Sequence, residues 1–306
     1  MNLLSGLIAQ LLHIVLMAAA APTLIGLTGW LQARLAGRHG PPVLQPWRDL
    51  AKLLRKQTVM AESASSLTEW APFVCAAAVA IAACLVPSFA WGMTLAPLDD
   101  LLVIAGLLAL ARGALALAAM DAGVAQGGIA ASRTMLLACG SEAALFLAVF
   151  AVSLSAGSTN LDLIAAAQQE FSALPRPGLL LALSAAVLVA SIDGNVLRRE
   201  VLALELGSAD AALIEATEAL RLLVWFNLIG AVFLPFDMAP AGAGPVAWVI
   251  GAACWLARTM LFTVAVAAVR TLHGRLSLPR AAGLLAMAVL LGLLAIVFLF
   301  TGMRTA

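Results

Sequence analysis

Arg112, Glu142 and Arg258 each stand inside a long apolar run, where an ionised side chain is costly unless it is paired or faces water. Asp121, Arg133, Asp193, Glu200, Glu205, Glu215, Glu218 and Arg221 stand near the ends of such runs. Carboxylates and guanidinium groups strung through an apolar interior are the side chains a proton path uses. The expected path comprises Arg112, Asp121, Arg133, Glu142, Asp193, Glu200, Glu205 and Glu215. The competing reading is structural: Arg112 and Arg258 satisfy loop carbonyls or reach toward the interface, and the charges between 193 and 221 form a solvated face. On a continuous helix Asp193 and Glu200 share a face and Glu205 turns away from it.

Other chemistry is poorly supplied. There is no histidine pair, metal-ligand cluster, dinucleotide loop or nucleophile-base set, so no catalytic, cofactor-binding or metal site is expected in this chain. His13, His39 and His273 have no partners in sequence, and His13, inside the first apolar run, reads as a packing residue. Cys75, Cys84, Cys139 and Cys254 lie in apolar segments without a CxxC pair and read as small hydrophobes. The formal net charge of +1 gives no basic groove for nucleic acid.

The elements that must position these groups are membrane spans. Hydrophobic residues make up 63% of the chain, charged ones 11%, and the mean hydropathy is +1.05, more apolar surface than a soluble fold can hide. With about 20 residues per crossing, spans are expected over about 3–30, 71–92, 99–119, 131–154, 177–194, 212–236, 245–269 and 280–302. The fold class is therefore an all-α integral membrane bundle of about eight helices, one transmembrane domain over residues 1–306. The first apolar run lacks a basic leader segment and reads as a span. No internal repeat is visible, which removes support for an inverted-repeat transporter. The Leu234-Pro235-Phe236-Asp237 stretch reads as a helix end closed by prolines.

Basic residues orient the bundle. Arg34, Arg38, Arg48, Lys52, Arg55 and Lys56 lie in one connection, Arg133 in another, Arg198, Arg199 and Arg221 in or near a third, and Arg270, Arg275 and Arg280 in a fourth. By the positive-inside rule these connections face the cytoplasm and both termini the periplasm of a bacterial inner membrane. Within the first, Gly40, Pro41 and Pro42 break the chain; Val43, Leu44, Trp47, Leu50, Ala51 and Leu54 then recur at helical spacing opposite Arg48, Asp49, Lys52, Arg55 and Lys56. This predicts a cytoplasmic interfacial helix over about 43–56. A second cytoplasmic polar segment is expected over about 193–221.

Arg34, Arg38, Gly40, Pro41, Leu44, Gln45, Arg48, Asp49, Lys52, Leu53 and Leu54 match an Arg…Arg-x-Gly-Pro…Gln…Arg-Asp…Lys-Leu-Leu pattern. A second segment agrees at Ala111-Arg112, Asp121, Ala131-Ser132-Arg133 and Glu142. On these residues the chain resembles the subunit 1 family of respiratory complex I. Within that family it is most similar to the membrane subunits of formate hydrogenlyase and other energy-converting (group 4) hydrogenases.

The resemblance implies a non-catalytic membrane subunit. Its floor, carried by Arg34, Arg38, Gln45, Arg48, Asp49 and Lys52, docks a cytoplasmic arm of hydrogenase-like large and small subunits and an iron-sulfur protein. An antiporter-like membrane subunit is implied beside it. Iron-sulfur clusters and a nickel-iron centre are implied in the partners, none in this chain, and lipid but no nucleic acid completes the partner set.

One stretch departs from the family pattern. Where complex I relatives read Glu-x-x-Arg-x-Pro-Phe-Asp, this chain reads Asp193-Gly194-Asn195-Val196-Leu197-Arg198-Arg199-Glu200. Two arginines beside Glu200 favour its ionised form, which suits a fixed ion pair better than a carboxyl that loads and releases protons. Two further function classes therefore stand beside the anchor reading: a subunit of a related complex with non-hydrogenase soluble chemistry or altered ion coupling, and a free-standing secondary transporter with Arg112 and Glu142 at its substrate site.

Overall fold

A backbone crossing lipid must satisfy its own hydrogen bonds, and this chain does so with helices. The computed structural model describes residues 3–56, 65–121, 123–170, 177–201, 208–234, 238–273 and 277–305. The helices are α1 (Leu3–Leu35), α2 (Gln45–Leu53), α3 (Ser66–Leu85), α4 (Leu101–Asp121), α5 (Ala125–Ala156), α6 (Leu161–Glu170), α7 (Pro177–Val201), α8 (Ser208–Phe233), α9 (Pro245–His273) and α10 (Leu278–Thr305). Among the described residues seven helices, α1, α3, α4, α5, α8, α9 and α10, are long and apolar enough to cross a membrane. The remaining expected span, 177–194, corresponds to α7, whose described apolar stretch, Gly178–Ala190, is shorter.

Helix ends differ from the sequence expectation for local reasons. α3 starts at Ser66, earlier than expected, because the Ser65 hydroxyl accepts the Leu67 amide and caps the first turn. It stops at Leu85, also earlier, because Pro87 follows: Val86 takes the extended conformation (φ −73°, ψ 116°) favoured before a proline. α7 runs on to Val201 and α8 begins at Ser208, so much of the polar 193–221 segment is helical extension rather than loop.

α8 lies at the centre, packed against α1, α3 and α7, while α4, α5 and α10 complete the ring. Its buried residues, including Leu223, Val224, Trp225 and Ile229, form the middle of the core. α9 and α10 turn Val246, Val249, Leu261, Leu290, Val297 and Phe300 outward, as helices in lipid do.

Two polar rims close the bundle. On the rim where α4 ends and α3 begins, α2 packs against α1 and α8. On the opposite rim two short strands, β1 (Ala90–Trp91) and β2 (Ala239–Pro240), pair in parallel, and α6 lies beside the start of α4. Neither the strand pair nor α6 is foreseen from the sequence. Both are too short to give a periodic signal.

Candidate functional site

The residues expected to form a docking floor sit on the rim that carries α2. Arg34, at the end of α1, lies over the Trp30 ring at 5.2 Å, and Arg38, Arg48 and Lys52 are exposed. Gln45 donates through Nε2 to Asp49 Oδ1 at 2.8 Å, tying one helical turn of α2 together. The helix is held down by its approach to α1. The Val43 carbonyl lies so close to Gly26 that a Cβ there would stand 1.8 Å from its oxygen, and Gly40 sits against Trp30 and Ala33. Gly26 thus admits α2 to this place.

α2 departs from the expected apolar stripe. Pro46, Leu50 and Leu53 are the half-buried apolar residues, whereas Leu44, Trp47, Ala51 and Leu54 remain exposed. The same rim holds Asp121 at the end of α4. Its carboxylate accepts the backbone amides of Ser65 (2.9 Å) and Thr68 (3.3 Å) and their hydroxyls (2.7 and 2.6 Å). That arrangement serves the first turn of α3, whose orphan amides need acceptors. Arg133, also expected on the proton path, is exposed on α5.

Inside the bundle the structure brings Arg112 and Glu142 together, which their separation of 30 residues does not by itself require. Arg112, buried on α4, donates Nη1–H to Ser141 Oγ at 2.7 Å and Nη2–H to Glu142 Oε1 at 3.3 Å on α5. Glu142 is about one-third exposed, so the pair has one buried and one accessible end. Glu218 and Arg221 form a second pair on α8, at 3.9 Å, with Arg221 buried and Glu215 exposed one turn away. An apolar cluster of Cys75, Ala78, Val79, Ala111, Ala114, Leu115 and Ile214 joins α3, α4 and α8 beside both pairs. Asp193 and Glu200 lie on helix α7 with side chains outside the described residues, and Glu205 is itself outside them. The cysteines divide: Cys75 is buried, Cys84 and Cys254 are half-buried, and Cys139 is exposed.

Sequence reasoning gave Arg258 two readings, and the structure supplies carbonyls. Its Nη1 donates to Leu234 O and its Nη2 to Ser88 O, both at 2.9 Å, so one cation draws the end of α8 and the turn after α3 together. Carbonyls orphaned at helix ends favour a cation. Gly230 makes room: a Cβ there would lie 2.5 Å from Arg258 Nε. His13, fully buried, donates Nε2–H to Ala83 O at 2.8 Å, and its Nδ1 lies 2.6 Å from Ser88 Oγ. It packs α1 against α3, as expected.

The feature sequence reasoning missed is a pair of acids on the β1–β2 rim. Asp99 and Asp162 are buried as near neighbours there. Asn160 Nδ2 donates to Asp99 Oδ1, the Leu161 amide donates to Asp99 O at 2.8 Å, and the Gly92 amide donates to Asp162 Oδ2 at 2.5 Å. Burial above all, and then the neighbouring Asp162, raise the Asp99 carboxyl above the usual carboxylate range, and burial raises Asp162 as well. Asp100 next to it caps α4, accepting the Leu102 amide at 2.7 Å. An acid pair following Pro97 and opening an apolar run is a capping signal. That one acid points inward is not.

These features define a class, the multi-pass all-helical membrane protein whose charged groups are collected at its rims and in a few interior pairs. The chain belongs to the NADH dehydrogenase family, whose model matches residues 7–302, in agreement with the complex I subunit 1 resemblance. It is 34% identical over 152 residues to formate hydrogenlyase subunit 4 and 31% identical over 157 residues to hydrogenase-4 component C, both of Escherichia coli (strain K12). These alignments span 50% and 51% of this chain and 50% of each relative, so the match covers about half the length of the curated relatives. The fold is shared with a chain of the membrane-bound sulfane sulfur reductase, an archaeal respiratory membrane complex. The TM-score there is 0.79 at 20% identity, over 95% of this chain and 98% of that one.

Proposed function

We propose that this chain is the membrane anchor subunit of a multisubunit oxidoreductase resembling formate hydrogenlyase or hydrogenase-4, with no redox centre of its own. The observation that carries the reading is the alignment to a membrane-complex subunit of each system at more than 30% identity. The rim with Arg34, Arg38 and Lys52 is the cytoplasmic one, since basic residues concentrate there, and both termini are periplasmic in a bacterial inner membrane. On that floor dock hydrogenase-like large and small subunits and an iron-sulfur protein, which hold the iron-sulfur clusters and nickel-iron centre. An antiporter-like subunit covers part of the apolar flank.

Arg112, Ser141 and Glu142 support a part in proton movement. A proton arriving at Glu142 neutralises the carboxylate and weakens its hold on Arg112, whose Nη1 keeps its bond to Ser141 Oγ. Thus the pair has two electrostatic states that a proton selects.

The test is purification in mild detergent with mass spectrometry of the co-purifying proteins. Arg38→Glu with Lys52→Glu is expected to release the soluble subunits while this chain stays in the membrane; retention of the arm overturns the docking reading. A second reading, an anchor for non-hydrogenase soluble chemistry, is favoured by Val196 and the Arg198-Arg199 pair. The fold shared with the sulfane sulfur reductase complex is compatible with it. A neighbouring reading frame for a large subunit with two CxxC pairs decides for the first reading, and a neighbourhood without one for the second.

A further inference from the structure

α2 presents three faces, of which the bundle uses one. Pro46, Leu50 and Leu53 turn toward α1 and α8. Leu44, Trp47, Ala51 and Leu54 fall on one stripe of the helix and its flanking turns, and all four are exposed. Arg48 and Arg55 lie on the adjoining stripe, also exposed.

Depth separates the candidate occupants. The Val43 carbonyl is seated against Gly26, nine residues before the end of α1 at Leu35, so the chain runs back about 13 Å along that helix before α2 begins. This places α2 beside the last apolar turns of a spanning helix, at the boundary between acyl chains and headgroups. An acidic protein surface would meet the arginines but leave Trp47 and Leu54 facing acyl chains on its own account. A phospholipid with a negative headgroup meets both stripes at once, tails against the apolar one and phosphate against the basic one.

We propose that α2 is a binding site for anionic phospholipid of the membrane, with Leu44, Trp47, Ala51 and Leu54 among the acyl chains and Arg48 and Arg55 on the headgroup phosphate. This assigns Arg48 to lipid rather than to the docked arm, and it does not depend on which soluble subunits dock.

The experiment uses the full chain, delipidated in detergent and titrated with phosphatidylglycerol or phosphatidylcholine carrying brominated acyl chains. The quenching due to Trp47 is the difference between wild type and Trp47→Phe. It is expected at a lipid fraction about tenfold lower or more for phosphatidylglycerol than for phosphatidylcholine. Arg48→Gln with Arg55→Gln is expected to abolish that preference, and Arg48→Lys with Arg55→Lys to keep most of it. The proposal is overturned by absence of Trp47-dependent quenching, by equal quenching with both lipids in the wild type, or by a preference that survives the glutamine pair. It is equally overturned if binding of the soluble arm in the intact complex removes the quenching, since protein then covers the stripe. Arm retention is read separately, so failure here leaves the docking reading standing.

Discussion

Replacing Gly26 by Ala tests the seating of α2 on α1 directly. The added Cβ would stand 1.8 Å from the Val43 oxygen, 2.8 Å from its carbon and 3.0 Å from Pro46 Cδ. Cβ contacts essentially never fall below 3.0 Å, so the Val43 carbonyl must retreat by about 1.2 Å. The obstacle is backbone and a proline ring, so no rotamer change relieves it, and the start of α2 has to lift from the bundle. Overpacking of this kind costs about 1–3 kcal/mol, and a backbone clash belongs at the upper end. Gly29 on the same helix is the control, because a Cβ there meets nothing within 4 Å. Gly29→Ala is expected to be neutral or slightly stabilising, since Ala forms helix better than Gly by about 1 kcal/mol. The assay is thermal unfolding of the detergent-solubilised chain together with trypsin cleavage between Arg34 and Lys56. Gly26→Ala should lower the midpoint and speed cleavage in that segment, whereas Gly29→Ala should do neither. Indistinguishable behaviour of the two variants would refute the seating of α2 on α1, and with it the depth argument for the lipid site.

Three further outcomes follow from the interior and rim contacts. Glu142→Gln is expected to lower turnover or ion coupling of the intact complex several-fold more than Glu218→Gln; equal effects, measured as proton uptake per turnover, would return Glu142 to a packing role. Asp121→Ala should lower the unfolding midpoint by more than Asp121→Asn, which keeps one acceptor oxygen for the first turn of α3. Identical midpoints for the two variants would count against the capping role. The acid pair predicts a pH dependence. A carboxyl whose folded pKa is raised contributes full stability below the ordinary carboxylate pKa and loses it as pH climbs through the raised value. Wild type should therefore lose stability as pH climbs from the ordinary carboxylate value to about 8, and Asp99→Asn, which removes that titrating group, should flatten the loss. An unchanged slope in the variant would show that another group sets it.

The family resemblance was legible in the first half of the chain because its residues are mixed and widely spaced: Arg34, Arg38, Gly40, Pro41, Gln45, Arg48 and Asp49 read as a pattern before any fold is known. The pairing of Arg112 with Glu142 was half legible. Each stood out as an ionisable residue in an apolar run, but only the packing of α4 against α5 set Ser141 and Glu142 opposite the guanidinium. Arg258 illustrates the limit, since its two partners are backbone carbonyls that no side chain announces. Asp99 and Asp162 lie outside the apolar runs and carry no such signal; their burial arises from the fold of α6 and β1 around them.

The residue types alone determined that this chain lies in a membrane and roughly where its helices run, because lipid requires long apolar segments and penalises charge at every position along them. They also determined that one connection is basic and amphipathic. Which stripe of α2 meets the bundle, which carbonyls hold Arg258 and which acids are buried together were decided only by the tertiary structure. Those choices depend on how closely segments far apart in the chain approach one another, as the Val43 carbonyl does at Gly26 and the Arg258 side chain at Gly230.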